Sequence, residues 1–179
     1  GTVIGGDASG EHIGVAPNAT LYAGAVLTED DGTSGKTSNI YNGMEWAVEK
    51  DADILSMSLG GSGIDNGDIE PIRNARQAGT IPVVAIGNDG EGTHGSPGDV
   101  YGSIAVGASD DSDEIASFSG GDTVSKSEWN DPPNDWPSSY VVPDVSAPGS
   151  YVVSALPTRT PADWGPKWGT SMATPHVSG

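Results

Sequence analysis

A serine that follows a glycine near the end of the sequence is the clearest candidate for a reactive group. Ser171 lies in the segment GTSMATPH, which begins at Gly169. Glycine permits a sharp turn and the small residues after it favour a helix, so Ser171 is expected at a helix N-terminus. The free N–H groups and the dipole there stabilise the negative charge that forms when a hydroxyl attacks a carbonyl. The alternative is that Ser171 or Thr170 only caps the helix.

An asparagine at the end of a predicted strand is the second candidate. Asn88 follows the run Ala85-Ile86-Gly87. Its amide can donate a hydrogen bond to an oxyanion, and the glycine before it lets a substrate come close. The alternative is an ordinary turn asparagine, since Asp and Gly follow it.

A third segment, Ser58-Leu59-Gly60, ends another predicted strand without bulky side chains. An extended peptide could form hydrogen bonds along such a backbone. The alternative is a simple exit from the strand into a loop. The three segments together suggest attack on a carbonyl within a bound peptide.

The elements around these residues alternate between strand and helix. Apolar blocks predict strands over 20–27, 53–59, 81–88 and 103–107, and helical spacing predicts helices over 37–50 and about 68–78. Thr37 or Ser38 is expected to cap the first helix, and Gly79 to end the second. This alternation predicts an α/β fold with a parallel sheet and helices on both faces. In such sheets, chemistry gathers at the carboxyl ends of the strands.

The segment from about 121 to 142 differs in composition from the rest of the chain. It is rich in Pro, Asn, Ser and Trp and has neither a helical nor a strand period. It therefore predicts a long surface loop. Trp129 and Trp136 are expected to anchor this loop to the body; the alternative is a platform on which a carbohydrate stacks.

The charge of the chain excludes several classes of partner. Seven Lys and Arg stand against 25 Asp and Glu, for a net charge of −18. Such a surface repels phosphate and anionic lipid, so no nucleic-acid or membrane partner is expected. The absence of cysteine excludes disulfides. An acidic surface suits concentrated salt, where the Debye length falls to about 3 Å at 1 M, and we interpret the chain as halophilic.

Seven segments, taken in order, resemble the subtilisin-like serine proteases, the subtilase family. They are VAPNATLYAGAVL (15–27), NGMEWAVEKDADILSMSLGG (42–61), VVAIGNDG (83–90), SPGDVYGSIAVGA (96–108), ASFSG (116–120), SAPG (146–149) and GTSMATPHVSG (169–179). The likeness covers nearly the whole chain except 122–142. The acidic composition is most similar to the secreted haloarchaeal members, the halolysins.

The resemblance implies a serine endopeptidase that works through an acyl-enzyme. Ser171 would be the nucleophile, and the Asn88 side chain and the Ser171 N–H would form the oxyanion hole. A polypeptide substrate would lie between two sides of a cleft, formed by Ser58, Leu59 and Gly60 and by Thr33, Ser34 and Gly35. The pocket for the residue before the scissile bond would be lined by Gly60, Ala85, Ile86, Gly87 and Gly95, which implies a broad apolar preference.

The chain departs from the family pattern where the other two members of the catalytic triad would lie. The sequence starts with GTVIGG, which resembles the tail of the family's histidine motif, and the aspartate segment has no match. His12, His94 and His176 do not match the missing histidine, and His176 is interpreted as structural. We therefore expect residues 1–179 to be a partial catalytic domain, the serine-bearing portion, inactive alone. The alternative is a non-catalytic binding or structural module derived from a protease.

The resemblance also bears on cofactors, partners and location. No metal ligand is assigned, although the family implies that the full-length enzyme can bind Ca²⁺. Asp7, Glu11 and the acidic cluster 110–114 offer oxygen ligands, and a solvated acidic surface is the favoured interpretation. The enzyme's own propeptide is a further expected partner. The family implies secretion, although the chain itself carries no export signal.

Overall fold

The computed structural model describes residues 1–7, 10, 13–28, 34–156 and 160–179. In these residues the helices are α1 (Thr37–Glu49), α2 (Ile69–Ala78) and α3 (Thr170–Ser178), with 3₁₀ turns at Asn66–Asp68 and Lys126–Glu128. The strands are β1 (Ile54–Met57), β2 (Gly61–Ser62), β3 (Ile81–Ala85), β4 (Gly95–Ser96), β5 (Ile104–Ser109), β6 (Asp122–Ser125), β7 (Ser139–Val142), β8 (Val145–Pro148), β9 (Val152–Ala155) and β10 (Trp164–Lys167). None of the helices described is long and apolar enough to cross a bilayer.

A parallel four-stranded sheet forms the centre of the fold. Its order is β1-β3-β5-β8, and every neighbouring pair runs parallel. The two inner strands, β3 and β5, are apolar runs rather than alternating ones because a parallel sheet is covered on both faces. The remaining strands form antiparallel pairs, β2 with β4, β6 with β7 and β9 with β10.

Helices cover both faces of this sheet, which confirms the predicted fold class. Val84 of β3 packs in a cluster with Met44 of α1 and Ile72 of α2. Its neighbour Val83 packs in a second cluster with Ala173 of α3. Successive side chains of a strand point to opposite faces, so α1 and α2 lie on one side and α3 on the other.

The strand predicted over 20–27 is wrong. The segment has no strand assignment, and Leu21 and Tyr22 are about half exposed. It faces β1 across a cleft of about 650 Å³, and the Tyr22 ring rests edge-on against Trp46 of α1, 6.1 Å between centroids. An apolar run favours burial, whereas a strand also needs a neighbour to accept its backbone hydrogen bonds, and no described strand pairs with this segment.

Helix α1 begins differently from the prediction. Its N-cap is Lys36, in extended conformation, and no side chain caps the helix. Thr37 and Ser38 already have helical backbone, so neither can be the cap residue. By contrast, α2 ends as predicted at Gly79, whose φ of 96° is the left-handed conformation that glycine favours.

The long loop predicted over about 121–142 contains regular structure instead. Strands β6 and β7 pair with Asp122 opposite Val142, and a 3₁₀ turn follows β6. Trp129 and Trp136 are buried and stack edge-to-face, 5.2 Å between centroids. The two rings therefore anchor the segment to the core, and the alternative of an exposed stacking platform is wrong.

Candidate active site

A cleft of about 500 Å³ lies at the carboxyl ends of β1 and β3. Because these strands are parallel, the segments that follow them leave the sheet at the same edge. The structure brings the predicted site residues together here: the lining includes Ser34, Gly35, Ser58, Leu59, Gly60, Ala85, Ile86, Gly87, Asn88, Gly95 and Ser171. Thr33 lies outside the described residues.

Ser171 is the second residue of α3, and it is tied to the end of β1 by two reciprocal hydrogen bonds. Its Oγ donates to the Ser58 carbonyl oxygen at 3.1 Å. The Ser58 Oγ donates in turn to the Ser171 carbonyl oxygen at 2.8 Å. The pair holds the first turn of α3 against the cleft, with the serine hydroxyl at its edge.

The turn into α3 depends on Gly169. This residue is the N-cap, with φ 130° and ψ 159°, and no side chain caps the helix. The alternative in which Ser171 or Thr170 serves as the cap is therefore wrong. A φ in this range strains any residue with a Cβ, so glycine is required for the chain to enter the helix here.

Thr170 fixes the orientation of the Asn88 side chain. The Asn88 Oδ1 accepts a hydrogen bond from the Thr170 backbone N at 2.8 Å and another from its Oγ1 at 3.0 Å. With the amide oxygen engaged by two donors, the Nδ2 group remains as a donor without a partner among the described residues. Sequence reasoning missed this role of Thr170, although a hydroxyl residue directly before the serine was visible in the sequence.

A buried imidazole–carboxylate pair forms part of the cleft wall. His94 lines the cleft, and its Nδ1 lies 2.7 Å from Asp99 Oδ2. Ser96 Oγ donates to the other carboxylate oxygen at 2.5 Å, and the Tyr140 hydroxyl donates to the Asp99 backbone carbonyl at 2.7 Å. Burial raises the pKa of Asp99, and the hydrogen bonds from Ser96 and His94 act in the opposite direction.

His176 does not approach the serine as a base. His176 Nδ1 donates to the Met172 carbonyl oxygen within α3, at 2.9 Å. His12 lies outside the described residues. Among the residues that the structure describes, the Ser171 hydroxyl is hydrogen-bonded to Ser58 and to no imidazole. A general base for Ser171 is therefore not present in the described site.

The described residues hold no group of three or more His, Cys, Asp or Glu side chains that could bind a metal ion. In the acidic cluster 110–114, Asp110 Oδ1 accepts hydrogen bonds from the backbone N–H groups of Ser112 and Glu114. That carboxylate stabilises its own turn. Glu11 lies outside the described residues.

Comparison with known proteins shows which family this chain resembles. A model of the subtilase family matches residues 1–179. Subtilisin E of Bacillus subtilis (strain 168) is 39% identical over 171 residues, which is 93% of this chain and 39% of that protein. Thermitase of Thermoactinomyces vulgaris is 35% identical over 167 residues, 93% of this chain and 51% of its own.

The major intracellular serine protease of Bacillus subtilis (strain 168) is 35% identical over 184 residues, covering 100% of this chain and 51% of that protein. The chain therefore spans two fifths to half the length of these relatives.

Proposed function

Because the chain belongs to the subtilase family, we propose that it carries the nucleophile and oxyanion hole of a serine endopeptidase. Ser171 supplies the nucleophile, and Asn88 Nδ2 and the Ser171 N–H supply the oxyanion donors. The observation that carries the proposal is the double hydrogen bond from Thr170 to Asn88 Oδ1. It holds the Asn88 amide beside the first turn of α3, so the Asn88 amide and Ser171 lie at the same cleft.

The reaction proposed is acyl transfer followed by hydrolysis. Ser171 Oγ attacks the carbonyl carbon of the scissile bond and gives its proton to a general base, while the carbonyl oxygen becomes an oxyanion. Collapse of this intermediate breaks the C–N bond, and the amine leaves with a proton. Water then attacks the acyl-enzyme, releases the acid and restores the serine hydroxyl.

The proton must go to a base outside the described site, because no described imidazole contacts Ser171. We assign this base to a histidine of the full-length gene product, oriented by an aspartate, as the triad mechanism requires. Residues 1–179, as the serine-bearing portion of a catalytic domain, are then expected to be inactive alone.

A polypeptide substrate would lie along the backbone of Ser58–Gly60 opposite Ser34–Gly35. At two glycines of the adjoining pocket, neighbouring backbone lies too close to leave room for a side chain. A Cβ added at Gly60 would lie 2.6 Å from the Ser96 carbonyl oxygen, and one at Gly95 would lie 2.5 Å from the Gly61 carbonyl oxygen. Glycine is therefore needed at both positions, and an apolar residue is proposed for the substrate side chain that the pocket holds.

We propose secretion and a propeptide partner from the same family likeness. One relative is named as an intracellular protease, so the location requires a direct test. Fractionation of the source cells with an antibody against this chain separates the two possibilities. Ca²⁺ binding by the full-length enzyme remains part of the proposal, without assigned ligands.

The proposed nucleophile is tested by replacing it in the full-length gene product that contains this chain. Ser171→Ala should abolish fluorophosphonate labelling and lower kcat by about 10⁶, the loss that nucleophile removal causes in subtilisin itself. Ser178→Ala is the matched control, because Ser178 lies on the same helix and its hydroxyl bonds to Ser56 and to the Thr174 carbonyl. Labelling that survives Ser171→Ala would contradict the assignment, and a folded full-length protein that is neither labelled nor active would support a non-catalytic module.

A further inference from the structure

The imidazole–carboxylate pair in the cleft wall has no part in the hydrolysis proposed above. The His94 side chain is 12% exposed, whereas the Asp99 side chain is fully buried. Ser96 engages the second carboxylate oxygen, so Asp99 is held on both of its oxygens. The next residue along from His94 is Gly95, which lines the same cleft. The pair is therefore a rigid feature directly beside the proposed substrate pocket.

Asp99 fixes which nitrogen of His94 carries the proton. A carboxylate only accepts hydrogen bonds, so Nδ1 must be the donor, and a neutral ring then has a lone pair on Nε2. Nε2 has no hydrogen-bond partner among the described residues, and it is not among their fully buried unpartnered atoms. It therefore reaches solvent, and His94 is one of the residues that line the cleft.

We propose that His94 is a specificity-determining residue: beside the apolar side chains proposed above, its Nε2 lets the pocket also bind a polar side chain of the substrate residue that precedes the scissile bond. This inference rests on the proposed function, because it requires the cleft to hold a peptide. A neutral ring accepts a hydrogen bond, for example from the amide of glutamine. A protonated ring donates one to a carboxylate such as that of glutamate. The preference between these two isosteric residues should therefore shift toward glutamate as the pH falls.

Other ionisable groups lie in the cleft and around the pair. They are Asp89 in the cleft, Asp65 and Asp68 at the 3₁₀ turn before α2, Tyr41 on α1 and Tyr140 on β7. Asp89 disfavours glutamate by charge repulsion whatever the state of His94. Burial raises the pKa of Asp68 to about 6, with the Asp99 charge contributing in the same direction. A pH profile must therefore be compared between variants before it is attributed to His94.

The test uses three peptides that differ only before the scissile bond, with Gln, Glu or Leu there. The full-length gene product cleaves Gln and Glu peptides in competition, and the ratio of their kcat/KM values is measured from about pH 8 to pH 5.5. We expect the Glu/Gln ratio to rise about tenfold over this range, and to stay within about twofold in His94→Ala. A ratio measured in one sample does not depend on the folded fraction, so partial misfolding of the variant does not affect the result.

His176→Gln is the matched control, because His176 lies in α3, its Nδ1 donates to the Met172 carbonyl oxygen, and it does not line the cleft. The His176→Gln variant should show the same dependence of the Glu/Gln ratio on pH as the wild type. If the Leu peptide is cleaved but the Glu/Gln profile is flat, or is the same in His94→Ala, the inference is overturned and the proposed function stands. If Ser171→Ala leaves cleavage of all three peptides unchanged, or none is cleaved, the proposed function fails and the inference fails with it.

Discussion

Asp68 is a buried carboxyl at the end of the 3₁₀ turn that precedes α2, only 6% exposed. Burial raises its pKa to about 6, and the nearby charge of Asp65 acts in the same direction, whereas a hydrogen bond with Tyr41 acts against it. The charged form is therefore disfavoured in the folded state relative to the unfolded state. The same burial raises the pKa of Tyr41, which stays neutral at physiological pH.

The sign of this pKa shift predicts how the contribution of Asp68 to the stability of the protein depends on pH. Below the unfolded pKa, about 4 for an aspartate, both states are protonated and there is no penalty. As pH rises toward 6, the unfolded state ionises first, so the contribution of Asp68 to stability falls. Asp68→Asn keeps an acceptor for Tyr41 and should raise the free energy of unfolding at pH 7 by about 1–2 kcal/mol, with little change at pH 4.

Urea unfolding of the full-length protein at the two pH values checks this prediction. Asp135→Asn is the control, because Asp135 is exposed and should leave the difference between the two pH values unchanged. An Asp68→Asn variant that is less stable than the parent at pH 7 would show that the carboxylate is stabilising, against our expectation.

Single residues also show how far the candidate site could be predicted from the sequence. Ser171 was predicted because a glycine and a hydroxyl residue precede a helix there. Asn88 was predicted because it is a polar residue directly after an apolar strand. Thr170 and the pairing of His94 with Asp99 were not found, because each role depends on a contact. The contact between Thr170 and Asn88 joins residues 82 positions apart, and nothing in local spacing indicates such a contact.

At the scale of elements, sequence patterns predicted which segments are buried better than they predicted which strands pair. The blocks that became β3 and β5 were predicted because a strand covered on both faces is apolar throughout. The same pattern over 20–27 gave no strand, since no described neighbour pairs with it. Strands β6 and β7 were missed because their hairpin is held by aromatic contacts of Trp129 and Trp136 rather than by a period of two.

The link between two elements, the end of β3 and the start of α3, can be tested through Thr170. Its Oγ1 donates to Asn88 Oδ1 and lies 3.3 Å from the Gly87 carbonyl oxygen, and its backbone N donates to Asn88 as well. Thr170→Val removes only the hydroxyl donor, so the amide is held by one hydrogen bond instead of two. We expect kcat to fall about tenfold, less than the 10²–10³ loss that removal of an oxyanion donor causes in subtilisin.

Peptide hydrolysis by the full-length protein, at saturating substrate, measures the effect. Thr170→Ser is the conservative control, which retains the hydroxyl and should keep most of the activity. Full activity in Thr170→Val together with a loss in Thr170→Ser would indicate that the methyl group, not the hydrogen bond, is what matters. In that case Asn88 would be held by the backbone contact alone.

For the whole molecule, the distribution of charge is the dominant feature. The chain has a net charge of −18. In the part of the chain that the structure describes, the ion pairs are an exposed contact between Arg73 and Glu70 and the pair of His94 with Asp99. Most carboxylates therefore lack a cationic partner and repel one another, a repulsion that salt screens.

We predict that stability rises with salt concentration. Between about 0.1 M and 3 M KCl the Debye length falls from about 10 Å to below 3 Å, so mutual repulsion of the surface carboxylates is largely removed. The thermal unfolding midpoint followed by circular dichroism should increase across this range. A midpoint that is unchanged, or that falls, would be evidence against the halophilic interpretation.

Strand β1 lies at the edge of the central sheet, with β3 on one side and the cleft toward residues 20–27 on the other. A sheet edge offers a row of backbone donors and acceptors that any extended segment can satisfy. Two copies of this chain could satisfy each other in the same way, so its association state should depend on how concentrated it is. We therefore expect the isolated polypeptide to associate more as its concentration rises, because no described strand pairs with the outer edge of β1.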